Sequence, residues 1–221
     1  MAETPHAVSD VMTRTVVAVG REATFKEIVE TMDRWKVSAL PVLEGEGRVI
    51  GVVSEADLLP KEEFRGQVPR LDEARRLSQW AKAGAVTADQ LMTSPAVTVH
   101  EDATLPQAAR AMAVRAVKRL PVVDDEAKLV GIVSRADLLK VFLRSDADIE
   151  QEVGRLLAAQ PPLLLENAAA SVAEGVVTLT GDVRDPSLIP VVVRLARSVE
   201  GVVDVESRLG SPPPDPPGER T

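Results

Sequence analysis

Apolar and polar residues follow a pattern that occurs twice along this chain. Residues 10–59 align without a gap on residues 90–139, and more than a third of the aligned positions are identical. In each copy a short β-rich run precedes a stretch with apolar residues at helical spacing, and two further apolar runs and a final helix follow. The predicted order is strand, helix, strand, strand, helix. Because so small a unit cannot bury its own apolar face, we expect the copies to pack together about a pseudo-twofold axis.

Local signals support this order in both copies. Thr24 with Glu27 is a helix-opening capping box, and Thr104 with Gln107 repeats it. Gly47 in the turn between the last two strands is replaced by Ala127 in the second copy, which we expect to change turn geometry rather than function. Strands are predicted at residues 16–19, 40–43 and 49–53, and at residues 120–123 and 129–133 of the second copy.

The segments outside the duplication carry weaker signals. Between the copies, Leu71, Ala74, Leu77 and Ala81 have helical spacing, and Trp80 either covers the module or contacts another subunit. After residue 145 a further domain begins. Its pattern predicts a helix from residue 146 that prolines stop, a strand at 176–180, a loop at 181–186, a helix at 188–199 and a strand at 202–209. The Pro-rich residues 211–221 are expected to be disordered.

Composition excludes several classes of function. The formal net charge of −8 opposes attraction to nucleic acid and to anionic lipid. The chain has no cysteine and only two histidines, His6 and His100, which leaves little for a zinc site or a Ser-His-Asp triad. We expect both histidines to be solvated. No apolar run approaches the roughly 20 residues that span a bilayer, and the N-terminus lacks signal-peptide features, so a cytoplasmic location is expected.

Three short motifs recur in both copies: MT before the first strand, LPV on the second, and G-h-h-S-x-x-D-L-L, with h apolar, at the last helix. They resemble the CBS domain, whose tandem pairs form the Bateman module. The resemblance implies an α+β fold, with a first CBS domain at residues 7–60, a connector at 61–86 and a second CBS domain at 87–145. It also implies clefts between the repeats for an adenine nucleotide, and assembly as a homodimer through Leu58, Leu59, Leu138 and Leu139.

The Ser-Asp pair at each last helix has two compatible interpretations. Ser54 with Asp57, and Ser134 with Asp137, fit an N-cap serine and a carboxylate in the first turn. In proteins that this segment resembles, the Asp holds the ribose hydroxyls of an adenine nucleotide and the Ser lies beside it. By the same resemblance the adenine would lie near the start of the first strand, at Thr15 and Val16 or at Pro95 and Ala96.

The copies differ in the residues before LPV. Lys118 and Arg119 occupy this position in the second copy, whereas the first has Ser38 and Ala39. In nucleotide-sensing relatives a basic pair here contacts phosphate, so we expect Lys118 and Arg119 to serve the cleft that holds Asp57. The alternative, solvated surface charge at a helix end, is equally compatible with the sequence.

Residues 147–210 resemble the BON domain, a small helix-strand-strand-helix-strand module, through the segments EGVVTLTGDV and VEGVVDVESRL. Gly175, Gly181 and Gly201 are expected to be turn residues, since glycine alone takes positive φ without strain. The segment holds five arginines, no lysine and ten acidic residues, a balance of −5, so electrostatic binding to anionic membranes is not expected. Hydrophobic insertion through residues 163–165 remains an alternative.

Together these features predict a ligand-sensing regulatory protein without catalytic activity. It would bind an adenine nucleotide as regulatory ligand, use no cofactor or metal, and pass its state to an unknown protein partner through dimer or BON contacts. One alternative is a scaffold with empty clefts whose BON domain attaches to protein or membrane. An enzyme would need a nucleophile, metal or cofactor motif, and the sequence has no GxGxxG motif and no phosphate-binding P-loop.

Overall fold

The computed structural model describes residues 7–65, 77–160 and 165–210. Contacts separate the described residues into a unit that ends at Leu138 and a unit that begins at Leu139. The first unit contains both copies of the duplicated pattern, called here the first and the second repeat. His6, Leu71, Ala74, most of residues 163–165 and the Pro-rich tail lie outside the described residues.

Each repeat forms a three-stranded sheet with helices before, within and after it. The first repeat contains α1 (Val8–Val11), β1 (Val19–Gly20), α2 (Phe25–Trp35), β2 (Ala39–Glu44), β3 (Arg48–Ser54) and α3 (Glu55–Leu58). Two connector helices follow, α4 (Pro60–Glu63) and α5 (Leu77–Gly84). The second repeat contains α6 (Ala88–Leu91), β4 (Val99–His100), α7 (Leu105–Val114), β5 (Arg119–Val123), β6 (Leu129–Ser134) and α8 (Arg135–Leu139).

The sheets have the same order and register, which confirms the predicted α+β architecture. In the first repeat β1 pairs parallel with β2, and β2 pairs antiparallel with β3, with Leu40 opposite Val53. In the second repeat the counterparts Leu120 and Val133 face each other in the same way. All four side chains are fully buried. The LPV motif therefore places its leucine in the core of each repeat.

Two details of the repeats differ from the prediction. The first strand is only two residues long, since β1 begins at Val19 rather than at residue 16. Residues before it leave the sheet because Thr13 pairs with the other repeat. The four-residue helices α1 and α6 were not predicted, because a single turn is too short to show helical periodicity. Both capping boxes are confirmed: Thr24 N donates to Glu27 Oε2 (2.7 Å) and Thr104 N to Gln107 Oε1 (2.9 Å).

The segments that precede the first strands are exchanged between the repeats. Thr13 N donates to Ile132 O and Ile132 N to Thr13 O, both at 2.9 Å. The counterpart Thr93 makes the same reciprocal pair with Val52, at 2.9 and 3.2 Å. Each MT motif thus lies on the last strand of the opposite repeat, so the pair of repeats forms one body.

Glycine permits this exchange. A Cβ on Gly131 would collide with the side chain of Met12, and a Cβ on Gly51 would collide with that of Met92. Met12 is buried, at 9% exposure. The glycine of G-h-h-S in one repeat therefore packs against the methionine of MT in the other repeat. Both motifs serve the contact between the repeats.

The two hairpin turns meet at the pseudo-twofold axis. Val49 N donates to Ala127 O (3.1 Å), and Leu129 N donates to Gly47 O (3.0 Å). Gly47 has φ +96° and Ala127 has φ +60°. The left-handed conformation is thus kept where alanine replaces glycine, at the steric cost that a Cβ brings there. The turns differ in shape two residues earlier, because Gly45 has φ +57° whereas its counterpart Asp125 does not have positive φ.

The second unit has the helix-strand-strand-helix-strand order that the sequence predicts. Its elements are α9 (Asp146–Ala158), β7 (Leu165–Ala173), β8 (Val176–Val183), α10 (Ile189–Arg197) and β9 (Asp204–Gly210). β8 lies centrally, antiparallel to β7 and parallel to β9. Ile149 and Val153 of α9 and Ala196 of α10 pack against Val177 and Leu179 of β8.

Turn residues in this unit behave as predicted except at one place. Gly175, Gly181 and Gly201 all have positive φ. Gly181, however, lies within β8, which continues to Val183 where the sequence predicted a loop. The strand continues because β9 pairs with it up to Asp182. No described helix is long and apolar enough to cross a membrane.

Candidate functional site

The site begins with the Ser-Asp pairs, which cap the helices at the ends of β3 and β6. Ser54 N and Oγ donate to Asp57 Oδ2 at 2.8 and 2.7 Å. Ser134 N and Oγ donate to Asp137 Oδ2 at 2.9 and 2.6 Å. The capping interpretation is confirmed in both repeats. A carboxylate offers about four acceptor positions, so capping leaves acceptor capacity for another partner.

Asp137 and Ser134 line a cleft of about 290 Å³, called here the Asp137 cleft. Because of the exchange at Thr13, its opposite wall comes from the first repeat. Apolar residues form most of this wall, and Thr15 stands at the exposed end. The remaining lining consists of Thr13, Val16, Val17, Trp35, Val37, Ala39, Arg119 and Ile132. The volume lies near the lower end of the range for small-molecule pockets.

Arg119 brings positive charge to this cleft. It is half-buried at the start of β5 and also lines an adjoining groove with Ser38 and Glu55. The sequence interpretation assigned the basic pair to the Asp57 side, and Arg119 lines both the Asp137 cleft and the groove beside α3, the helix that carries Asp57. Lys118 is exposed, and its backbone carbonyl accepts a hydrogen bond from Arg135 N (3.1 Å). Only the arginine of the pair lines the cleft.

The Asp57 side has a different arrangement. Asp57 is buried, and Lys82 of α5 donates to its Oδ1 in an ion pair. Pro95 and Ala96 follow Thr93, which pairs with Val52 on β3 of the first repeat. The offset of 80 makes them the counterparts of Thr15 and Val16. The carboxylate that the sequence predicted to face a ligand therefore already has a cationic partner from the connector.

Sequence reasoning missed Lys82. The connector has no counterpart in the duplication, so no repeated motif marks the residue. The usable signal was the helical spacing that continues through Leu77 and Ala81, both on α5. Trp80 of α5 packs on Phe64, with ring centroids 4.2 Å apart. Trp80 is half-exposed, so its ring covers Phe64 and still presents surface on which another subunit could pack.

Potential metal ligands were sought in the described ranges, 7–65, 77–160 and 165–210. No group of three or more His, Asp or Glu side chains within them could hold a metal ion. His100 lies 3.0 Å from Asp125, which is an exposed acidic side chain on the hairpin turn. The chemistry that the Asp137 cleft offers is that of binding: a carboxylate, a guanidinium and an apolar wall.

Comparison with known proteins identifies two kinds of domain in this chain. Residues 8–61 and 88–144 match the model of the CBS domain, and residues 145–210 match that of the BON domain. An uncharacterized protein of Methanopyrus kandleri is 31% identical over 147 residues, which cover 66% of this chain and 68% of that protein. The chloroplastic CBS domain-containing protein CBSX2 of Arabidopsis thaliana is 29% identical over 160 residues, covering 66% of this chain and 67% of its own.

A solved structure of CBSX2 in complex with AMP is similar in fold. It has a TM-score of 0.55 and 29% sequence identity, and the match covers 62% of this chain and 97% of that chain.

Proposed function

The chain belongs to the CBS domain family, and we propose that it is a regulatory protein whose Asp137 cleft binds an adenine nucleotide. The observation that carries this proposal is that Asp137, Val16 and Arg119 line one cleft, although they come from both repeats. The crystallised complex of CBSX2 with AMP supports the class of ligand. The BON domain is proposed to pass the bound state to a protein partner.

Each part of the cleft suits one part of such a ligand. The Asp137 carboxylate can accept from the two adjacent ribose hydroxyls through charge-assisted hydrogen bonds. Val16, Val17 and Ile132 offer an apolar surface for the flat base. Arg119 is the cation of the cleft lining and is assigned to phosphate, whose oxygens match the fork of a guanidinium.

Calorimetric titration with adenosine, AMP, ADP and ATP tests the proposal. Asp137→Asn is expected to weaken all four ligands, because every one carries the ribose. Arg119→Ala is expected to weaken the phosphorylated ligands more than adenosine. Lys118→Ala is the matched control. It also removes one positive charge, from the residue next to Arg119, but the Lys118 side chain does not line the cleft. The affinities of this variant should stay within about twofold of the wild type.

Two results would contradict the proposal. If none of the four compounds binds at millimolar concentration, adenine nucleotides are not the ligand. Equal losses for adenosine and ATP in Arg119→Ala would show that Arg119 shapes the cleft instead of contacting phosphate. Thermal unfolding gives an independent measurement, because a ligand at 100 times its Kd adds about 2.7 kcal/mol to the native state.

We propose a homodimer that uses two of the four leucines named in the sequence analysis. Leu138 is buried and Leu58 packs against the core of the first repeat, so neither is available to a partner. Leu59 and Leu139 are 63% and 60% exposed. Their exposed apolar surface is the part that a second copy could cover. Light scattering of the intact chain and of Leu59→Lys tests this, and a monomeric wild type would refute it.

A further inference from the structure

The sheet of the second unit has two edge strands, β7 and β9, because β8 lies between them. An edge strand turns a row of backbone N–H and C=O groups away from its own sheet, and another strand can pair with them. Folded proteins usually block such an edge with a bulge or with charged side chains. The two edges of this sheet differ in how far they are blocked.

The β7 edge is interrupted. Its pairing with β8 shifts register between Glu166 and Ala169, which is the irregularity of a bulge. Further along the strand, Val172 N donates to Glu150 Oε2 of α9 (3.2 Å). A side chain of the unit itself therefore occupies one backbone donor of this strand, and the shifted register breaks the row of the others.

The β9 edge is regular. β9 pairs with β8 at seven consecutive positions, from Asp204 to Gly210. Within residues 165–210, no strand pairs with its outer side. Its first residue is engaged within the unit, since Asp204 Oδ1 accepts from Val205 N (2.8 Å) and from Arg197 (2.9 Å). The side chains that follow at residues 206–208 are all exposed.

The sequence of β9 is complementary to itself when the direction is reversed. Residues opposite each other in an antiparallel pair point their side chains to the same face of the sheet. A twofold axis that relates two copies of one strand therefore passes through a residue. With the axis at Ser207, Glu206 of each copy lies opposite Arg208 of the other copy, and Val205 lies opposite Leu209.

Other positions of the axis lose this complementarity. An axis at Glu206 or at Arg208 places two side chains of the same charge opposite each other. An axis at Val205 places Asp204 opposite Glu206 twice. Like charges directly opposite each other destabilise a strand pair. Of these four registers, only the one centred on Ser207 joins opposite charges without opposing like ones.

We propose that β9 binds β9 of a second copy of the chain, antiparallel and centred on Ser207. The three-stranded sheets of two chains then join into one sheet of six strands. Backbone hydrogen bonds hold the strands together, as in other cases of strand addition, and Glu206 and Arg208 form an ion pair at two equivalent places. A second copy of the chain is thus one partner of the BON domain. The inference concerns a different surface from Leu59 and Leu139 and is independent of nucleotide binding.

The charges provide a test by reversal. Glu206→Arg places arginine opposite arginine at both equivalent places, and Arg208→Glu places glutamate opposite glutamate. Each variant alone should associate about tenfold more weakly, because two attractive cross-strand pairs become repulsive. An equimolar mixture of the two variants should regain the original affinity, since each chain then carries the charge that the other lacks.

Sedimentation equilibrium of the full chain measures these affinities. All variants carry Leu59→Lys as well, so that the leucine surface contributes less to the association. Arg194→Glu is the matched control, because it reverses an exposed arginine of the same unit on α10, away from β9. It should leave the association within about twofold. Circular dichroism checks that each variant is folded.

A crosslink tests the register directly. The chain has no cysteine, so Ser207→Cys introduces a single thiol. Opposite Cα atoms of an antiparallel pair are about 4.5–5.5 Å apart, within the span of a disulfide. Ser207→Cys should therefore form a covalent dimer in a glutathione redox buffer, and adding Arg208→Glu should lower the yield. Ser171→Cys is the matched control, an exposed serine on the interrupted β7 edge, and should remain monomeric.

Three results would overturn the inference. One is equal association of the parent chain, the two charge variants and their mixture. Another is absence of association of the Leu59→Lys chain at about millimolar concentration. The third is a crosslink at Ser171 in place of Ser207. None of these results bears on the Asp137 cleft, whose ligand is measured by separate titrations.

Discussion

Replacing Gly131 by alanine tests the exchange of segments on which the Asp137 cleft depends. The new Cβ would lie 3.1 Å from Met12 Cγ and 3.2 Å from its Cε, and closer still to the sulfur. Comfortable contacts between carbon atoms are about 3.5–4.0 Å. Met12 is buried and cannot simply turn into solvent. Overpacking of this kind costs about 1–3 kcal/mol, which lowers the midpoint of thermal unfolding by roughly 2–12 °C in a chain of this size.

A double-mutant cycle isolates the contact from the other effects of the substitution. Met12→Ala alone leaves a cavity and costs about 2–5 kcal/mol. In the double variant the methyl group introduced by Gly131→Ala has room, so the combined loss should be smaller than the sum by about 1 kcal/mol or more. Gly20→Ala is the control, because nothing lies within 4 Å of its Cβ position. It should change stability by no more than about 0.5 kcal/mol.

The measurement is thermal unfolding followed by circular dichroism, with AMP titration of each variant. Additive losses from Gly131→Ala and Met12→Ala, within about 0.5 kcal/mol, would refute the reasoning, because uncoupled residues do not touch. Since Met12 leads directly to the residues that line the cleft, Gly131→Ala is also expected to weaken AMP binding. Retained affinity together with additive stability would show that the exchange does not position the cleft.

Three further predictions concern single turns of the fold. Ala127→Gly should raise stability by about 1 kcal/mol, or roughly 2–4 °C, since it removes a Cβ from a left-handed residue, and an unchanged or lower melting midpoint would contradict this. The backbone N–H and the hydroxyl of Thr24 lower the pKa of Glu27, so the capping box stabilises above the ordinary carboxyl pKa and is lost as the pH falls through the lowered one. Glu27→Gln should therefore lose less stability than the wild type between neutral pH and about pH 3, and parallel pH profiles of the melting midpoint would refute the assignment. Asp146→Ala should lower the free energy of unfolding by about 1–2 kcal/mol, because the Asp146 carboxylate accepts hydrogen bonds from Glu174 N and Gly175 N at 2.8 Å. Denaturant unfolding measures this, and an unchanged free energy would show that the turn is stable without the carboxylate.

The sequence predicted best those features that neighbouring residues decide. The capping boxes at Thr24 and Thr104, and the Ser-Asp caps, depend on residues three positions apart, so their motifs contain the whole interaction. The hairpin strands were predicted because an apolar run bounded by turn residues has few alternatives. Because the motifs occur in both copies, each prediction had support from two stretches of sequence.

Features decided by distant segments were missed. The position of the first strand, two residues long at Val19–Gly20, follows from the exchange of segments between repeats, which no local pattern encodes. Arg119 lines the Asp137 cleft because β5 pairs with β6, with Arg119 opposite Ser134. Gly181 indicated a loop, but pairing with β9 keeps β8 extended there. Lys82 and Asp57 lie 25 residues apart, on either side of a connector without a repeated motif. Their contact depends on how that connector docks.

The exchange of the MT segments has a consequence for how the two repeats can diverge. A duplicated unit normally tolerates damage in one copy while the other stays intact. Here the first repeat forms one wall of the Asp137 cleft, so under the proposed function a substitution at Val16 is expected to alter binding at Asp137, in the opposite repeat. A single repeat cut from the gene would carry only part of the Asp137 cleft. Under the proposed function the pair of repeats is therefore the smallest heritable unit of binding at Asp137, and the two copies can change this cleft only together.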